Sequence, residues 1–217
     1  MASHLLDAQT LVPGIMESIR RQICRGELPA GQRLRQADLA TTLRVSPVPL
    51  REALRGLEAE GLVTFLPFKG AVVTPVTIEE VVEVQELTMA LETALVPLVL
   101  PRLTADDFGV LRALSAELDK STHSPEGVIE FYRVLFQPAN RPMMMRIIEN
   151  MIWRTVRFFP LMQGVRSELR EVRPTREALI SAFESGSEDE ARRVLLEFHR
   201  VRADALIEAL RAQPHQG

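Results

Sequence analysis

From Pro13 onward the apolar residues of this chain follow a helical period almost throughout, and they lose it once, between Leu62 and Pro75. There the pattern becomes strand, turn, strand: Leu62–Phe65, then Leu66-Pro67-Phe68-Lys69-Gly70, then Ala71–Pro75. Three helical segments precede it. The first runs from Pro13 to Arg25, with Ile15, Met16, Ile19 and Ile23 at helical spacing, and stops at Gly26. Pro29-Ala30-Gly31 forms a turn, and Ala37–Arg44 is a short second helix with Leu39, Ala40 and Leu43 on one face. The third opens at Ser46, an N-cap residue type. Pro47 falls at the first helical position, where a missing N–H is tolerated, and Pro49 is still within the first turn. This helix runs to about Glu60 and ends at Gly61.

From Thr77 onward there is almost no strand signal. The spacing predicts helices over 78–100, 104–120, 126–137, 140–159, 166–185 and 188–212. Pro97 is expected to kink the first of these or end it early, and Pro101, Pro125, Pro142, Pro160 and Pro174 mark further breaks or first turns. The expected division is a flexible arm over 1–12, a helix-turn-helix with a small β-hairpin wing over 13–76, and an all-α helical bundle over 77–217. The fold class is mainly α.

Composition narrows the functional classes. The 217 residues are 46% hydrophobic and 25% charged, enough for a real core without disulfides. The single cysteine, Cys24, makes no internal disulfide and no Cys-based zinc site, and reads as a small buried side chain. A net charge of −3 excludes a generic polyanion binder. The charge is uneven: residues 1–75 carry 9 Lys/Arg against 7 Asp/Glu, and residues 76–217 carry 17 against 22. No uncharged apolar run approaches a membrane span, and the N-terminus lacks a secretory pattern, so a cytoplasmic protein without membrane contact is expected. There is no G-x-S-x-G, H-E-x-x-H, P-loop or dinucleotide fingerprint, so an enzyme is not expected.

The third helix carries the candidate chemistry. Leu50, Leu54 and Leu57 recur at i, i+4 and i+7 and should pack inward. Arg51 and Arg55 share another face, together with Glu58. A helix N-terminus offers free N–H groups and a positive dipole end to a phosphate, and an arginine there can fork onto guanine. Lys69-Gly70 puts a cation beside a flexible residue at the hairpin tip. Two arginines on one amphipathic helix are by themselves an ordinary solvated face. Two helices, a capped start and a basic-tipped hairpin in this order favour double-stranded DNA.

Several strings resemble the GntR superfamily. Gly26-Glu27-Leu28-Pro29-Ala30-Gly31-Gln32-Arg33-Leu34 resembles its "G-x-L-x-P-G-x-x-L" opening. Asp38-Leu39-Ala40 and Leu43-Arg44-Val45-Ser46 resemble "LA-xx-LGVS". Pro49–Arg55 resembles "PVREALRxLexEGL", and Pro67-Phe68-Lys69-Gly70 resembles the wing's "PxRG". The remainder is similar to the FCD branch. The resemblance implies a winged-helix repressor or activator that binds a near-palindromic operator as a homodimer and answers a small-molecule effector. It implies DNA contacts from Arg51, Lys69 and Gly70. Ser46 opens the family's "S-R-T-P" turn, but Pro47 and Val48 stand where the family has arginine and threonine. Val48 is then expected to meet a thymine methyl, and Arg55 to share the DNA face. Ala37 replaces another frequent contact arginine, and Arg35 is the candidate substitute.

Many FCD domains hold a metal through one Asp and three His. The matching positions here are Val128, Tyr132, Arg176 and His199, and only the last keeps its ligand type. Glu130 is two residues off a ligand position, and His4, His123 and His215 lie in expected termini or loops. No metal and no cofactor are therefore expected. The expected pocket is metal-free and lined by Thr88, Tyr132, Arg176 and His199, with Arg176 as anchor for a carboxylate effector. A surface-directed Arg176 with no ligand, or a satisfied core His199, is the plain alternative. Met143-Met144-Met145, Trp153, Phe158 and Phe159 read first as core or interface. The competing functions are a dimeric helical ligand-binding or scaffold protein that has lost specific DNA binding and, against the missing ligands, a metal-dependent helical enzyme.

Overall fold

The structure, a computed structural model, describes residues 2–120, 124–158, 160–161 and 176–212. The chain divides into two compact units, Met1–Val76 and Thr77–Gly217. It is mostly helical, with one two-stranded antiparallel sheet among the described residues.

The first unit contains α1 (Ala2–Cys24), α2 (Gln36–Leu43), α3 (Pro47–Ala59), β1 (Val63–Leu66) and β2 (Gly70–Val73). Its core joins Ile15, Ile19 and Ile23 of α1 to Leu50, Leu54 and Leu57 of α3, the leucine stripe legible in the sequence. All three leucines are 0% exposed. Arg20 of α1 forks onto Glu60 just past the end of α3, with Nη2 2.9 Å from both carboxylate oxygens. The strands pair in the register Val63↔Val73 to Leu66↔Gly70.

Two features differ from the sequence reading. The helix begins at Ala2 rather than near Pro13, with Pro13 inside it. Extending an existing helix is far easier than starting one, so a nucleated 13–24 segment grows backward past the one bond that Pro13 lacks. Residues 31–34, read as turn and connection, pair along β2. Gly31 N–H donates to the Val73 carbonyl at 2.9 Å, Val73 N–H to Gln32 at 2.9 Å, and Leu34 N–H to Ala71 at 2.8 Å. The otherwise open edge of β2 is thereby closed.

The second unit contains α4 (Ile78–Val99), α5 (Ala105–Lys120), α6 (Pro125–Phe136), a 3-10 turn (Gln137–Ala139), α7 (Pro142–Val156), α8 (helical over the described residues 176–184) and α9 (Glu188–Arg211). The expected start of α8, 166–175, lies outside the described residues. Thr77 caps α4 by accepting the Glu80 N–H at 3.1 Å. The Glu80 carboxylate in turn pairs with Arg154 and with the buried Arg157 at the end of α7. Pro97 does not end α4, which continues to Val99. Only half a turn follows it, and the fully buried Leu95, Val96 and Val99 hold that segment against the missing bond. α4 packs on α9 and α7, and α6 on α5 and α7. The buried face of α4 is not purely apolar: Gln85, Thr88 and Glu92 lie among its valines and leucines.

Leu54→Ala should lower stability by roughly 2–5 kcal/mol, because the site is closed on all sides and cannot collapse onto the missing volume. Chemical denaturation followed by circular dichroism measures the loss.

Candidate functional site

Burial of the leucine stripe turns the opposite face of α3 to solvent. Arg51 is exposed and has no hydrogen-bond or ion-pair partner among the described residues. The same holds for Arg35 at the head of α2 and Lys69 at the hairpin tip. Val48 stands out from the first turn of α3 with 65% of its surface exposed. Gly70 has φ +74°, a conformation that favours glycine, and no neighbour crowds its Cβ position.

Three details amend the sequence reading. Ser46 occupies the N-cap position with extended backbone, but its hydroxyl caps nothing. Pro47 and Pro49 supply no N–H at the first and third helical positions, which leaves Val48 as the one donor among the first three. The start of α3 is therefore a poorer phosphate cradle than a typical helix N-terminus. Arg55 is exposed but occupied. Its Nη1 donates to Glu58 Oε2 at 2.8 Å, and its guanidinium lies 4.4 Å from the centre of the Phe65 ring. Glu58 Oε1 also accepts the Phe65 N–H at 3.4 Å. Arg55 and Glu58 thus brace β1 against α3.

The sequence reading missed Arg44. It ends α2 with φ +54°, while Val45 N–H closes back onto the Ala40 carbonyl at 3.0 Å. This helix-ending loop is normally made by glycine, the residue in the matching position of "LGVS". Arg44 is exposed and without a partner among the described residues, directly ahead of α3. The signal was available: a bulky cation at a position whose backbone asks for glycine.

In the second unit, a polar cluster sits inside the helices. His199 Nε2 and Glu92 Oε2 share a hydrogen bond of 2.7 Å, with both side chains essentially inaccessible. One turn along α9 from His199, the buried Arg202 donates through Nη1 to the Tyr132 hydroxyl at 3.0 Å. Burial pushes the Tyr132 phenol well above its ordinary range, against a weaker pull from Arg202, so the hydroxyl keeps its hydrogen. Arg176 is mostly buried and pairs with Asp119 of α5, and burial lowers its guanidinium from the usual value. Thr88 lies one turn from Glu92 on α4 and spends its hydroxyl hydrogen on the Val84 carbonyl at 2.7 Å. Tyr132, Arg176 and His199 are thus joined by Glu92, Arg202 and Asp119, which the sequence reading did not select. The i+4 step from Thr88 to Glu92 and the i+3 step from His199 to Arg202 would have found two of them. Gln85 Nε2, Glu92 Oε1 and Arg176 Nε are buried without a hydrogen-bond partner among the described residues.

This donor set does not suit the metal of many FCD domains. Val128 is an aliphatic core residue, and Tyr132 is held neutral beside a guanidinium. Arg176 cannot ligate. Among the described residues no group of three His, Cys, Asp or Glu comes together. Glu130 is exposed and faces Arg133. The side chains of His4, His123 and His215 lie outside the described residues, as does Phe159.

The remaining sequence candidates have structural places. Cys24 and Phe158 are buried, and Trp153 is half-buried. The methionine run divides: Met145 is buried, while Met143 is 61% exposed. No helix among the described residues is long and apolar enough to cross a membrane.

A helix-turn-helix with a hairpin wing, carrying cations without partners among the described residues, precedes a helical unit with a buried polar cluster, and the comparisons with known proteins follow the same division. Two family descriptions match in that order: "Bacterial regulatory proteins, gntR family" over residues 11–73 and "FCD domain" over residues 83–200. The chain belongs to the GntR family of transcriptional regulators, in the branch that carries an FCD domain. It is 36% identical over 91 residues to the Nta operon transcriptional regulator of Aminobacter aminovorans, covering 42% of this chain and 43% of that protein. It is 28% identical over 116 residues to the HTH-type transcriptional regulator YdhC of Bacillus subtilis, covering 54% of this chain and 52% of that protein. The chain thus spans about half the length of these two relatives. The HTH-type transcriptional regulator McbR of Escherichia coli is 26% identical over 194 residues, 84% of this chain and 86% of McbR. The solved structure of E. coli McbR/YncC shares the fold, with a TM-score of 0.79 over 91% of this chain and 97% of that one at 23% identity.

Arg44→Gly should raise stability by up to about 1 kcal/mol. Relief of roughly 1–2 kcal/mol of left-handed strain is partly offset by the greater freedom of glycine in the unfolded chain. A higher melting temperature in calorimetry is the expected reading.

Proposed function

We propose that this regulator holds a near-palindromic DNA operator as a homodimer, one winged helix on each half-site, and that a small carboxylate effector in the helical unit shifts its affinity. The observation that carries the DNA reading is the set of cations Arg35, Arg44, Arg51 and Lys69. All four are exposed on the helix-turn-helix and wing, and none is neutralised within the chain among the described residues. Arg25 and Arg33 of the same unit are also exposed and without a side-chain partner among the described residues, whereas Arg20, Arg21 and Arg55 are paired with Glu17, Glu60 or Glu58. In this reading Arg51 reads a base edge or grips a phosphate near the start of α3, and Val48 packs on a thymine methyl. Ser46, Arg35, Arg44 and Lys69-Gly70 meet the backbone around it. Arg55 acts indirectly, by holding the wing to α3.

The effector reading rests on the polar cluster. Arg202 and Arg176 bring two guanidinium groups into a low-dielectric interior, and Tyr132 retains a hydrogen to donate. Buried polar atoms without partners at Gln85, Glu92 and Arg176 mark where a bound molecule or water would complete the network. A carboxylate suits two planar forks better than a neutral ligand does. Thr88 and His199 then shape the site and orient it. The effector acts only in so far as it binds the DNA-competent and DNA-incompetent arrangements unequally. The dimer reading is supported by Met143 and Ile147, one turn apart on α7 and both exposed, which form an apolar ridge suited to a second copy.

Selection from a random duplex pool should enrich a motif with two half-sites, and Arg51→Ala should abolish that enrichment. A folded dimer that enriches nothing, with or without carboxylates, would favour a ligand-binding protein that has lost its operator. Thermal shift against a panel of small mono- and dicarboxylates should find ligands that raise the melting temperature. Arg202→Met should remove that shift and leave DNA selection by the apo-protein intact.

A further inference from the structure

Phe68 forms the tip of the wing, and its 104% relative exposure means that nothing in the chain shields it. The ring makes no aromatic or cation contact among the described residues. Its backbone has φ +62°, in the left-handed region where a bulky residue is an outlier. The Lys69 N–H donates to the Leu66 carbonyl at 3.2 Å and closes a turn with Pro67 second and Phe68 third. The third position of a turn with positive φ is normally glycine. The chain therefore carries strain at this residue and gains no packing for it.

The tip is also firmly mounted. The strands below it are paired as far as Leu66↔Gly70, and the Thr64 and Thr74 hydroxyls bond across the sheet at 2.9 Å. Arg55 and Glu58 tie Phe65 to α3, and Pro67 fixes one of the tip's torsions. The ring is held out on a braced stalk beside the unpartnered Lys69. A lone ring next to a cation is much smaller than a protein-docking patch, which needs several hundred Å² of contiguous surface. It does match the apolar wedges that enter a minor groove between base steps while neighbouring cations hold the phosphates.

Resting on the DNA-binding reading of the first unit, we propose that Phe68 is such a wedge: it enters the minor groove flanking each half-site, partly unstacks one base step and bends the duplex. The steps it prefers are the easily unstacked pyrimidine–purine steps, so it selects sequence at positions that no hydrogen bond reads.

The test uses the full chain and the duplex that the wild type selects from a random pool. Affinity, salt dependence and end-to-end FRET are compared for wild type, Phe68→Gly, Phe68→Ala and Lys69→Ala. Phe68→Gly should melt no lower than wild type, so a weaker complex cannot come from a damaged fold. It should bind on the order of tenfold more weakly, with less bend, no preference at the flanking step and an unchanged salt slope. Lys69→Ala should keep the bend and reduce the salt slope by about one counterion. Equal affinity, bend and step preference in Phe68→Gly and wild type, with Arg51→Ala still defective, overturns the wedge and leaves the DNA reading standing. Loss of the dimer in Phe68→Gly, with DNA binding falling only in proportion, assigns the ring to a protein contact and also overturns it. A wild type that selects no duplex overturns both readings.

Discussion

The working surface of the first unit depends on the burial of three leucines. Leu50, Leu54 and Leu57 are completely enclosed against α1. Each contributes about 1.5–3 kcal/mol relative to exposure. Surface ion pairs contribute about 0–1 kcal/mol each, so the leucines, not the charges, set the rotation of α3 about its axis. Arg51 and Val48 face solvent as a consequence. The wing follows the same logic, since Val63, Ala71, Val72 and Val73 are buried and leave the tip nothing to pack on. Function here is what remains outside once the core has chosen its side.

This division explains how much is legible in the sequence. Periods of 3.6 and 2 belong to single elements, so the three helices, the hairpin and the leucine stripe can all be read from the order of residues alone. What one element does to another cannot. Residues 31–34 join the sheet only because β2 offers an edge, and Arg55 turns inward on the wing only because Phe65 and Glu58 are brought to it. The polar cluster is the extreme case. His199 and Glu92 are 107 residues apart, and Tyr132 and Arg202 are 70 apart. The resemblance to FCD domains points to Tyr132, Arg176 and His199, but it does not name their partners in this chain. Glu92, Arg202 and Asp119 are the partners that this chain sets beside His199, Tyr132 and Arg176.

A guanidinium in the cluster has a chemical character distinct from a divalent ion. It offers fixed N–H directions and no exchangeable coordination position. It polarises weakly, is always present and does not depend on metal supply. Under the carboxylate proposal, selectivity would follow from the planarity and spacing of the acceptor oxygens, whereas a metal would rank ligands by basicity and by the ease of displacing water.

Pro47 and Pro49 at the head of α3 also act on the chain before it folds. Each restricts its own φ near −65° and disfavours the helical region for the residue before it. The backbone at the head of the helix has little freedom to lose on meeting a duplex. In the proposed complex such a surface would discriminate by rigid complementarity, rejecting misfits and spending little ordering entropy on association.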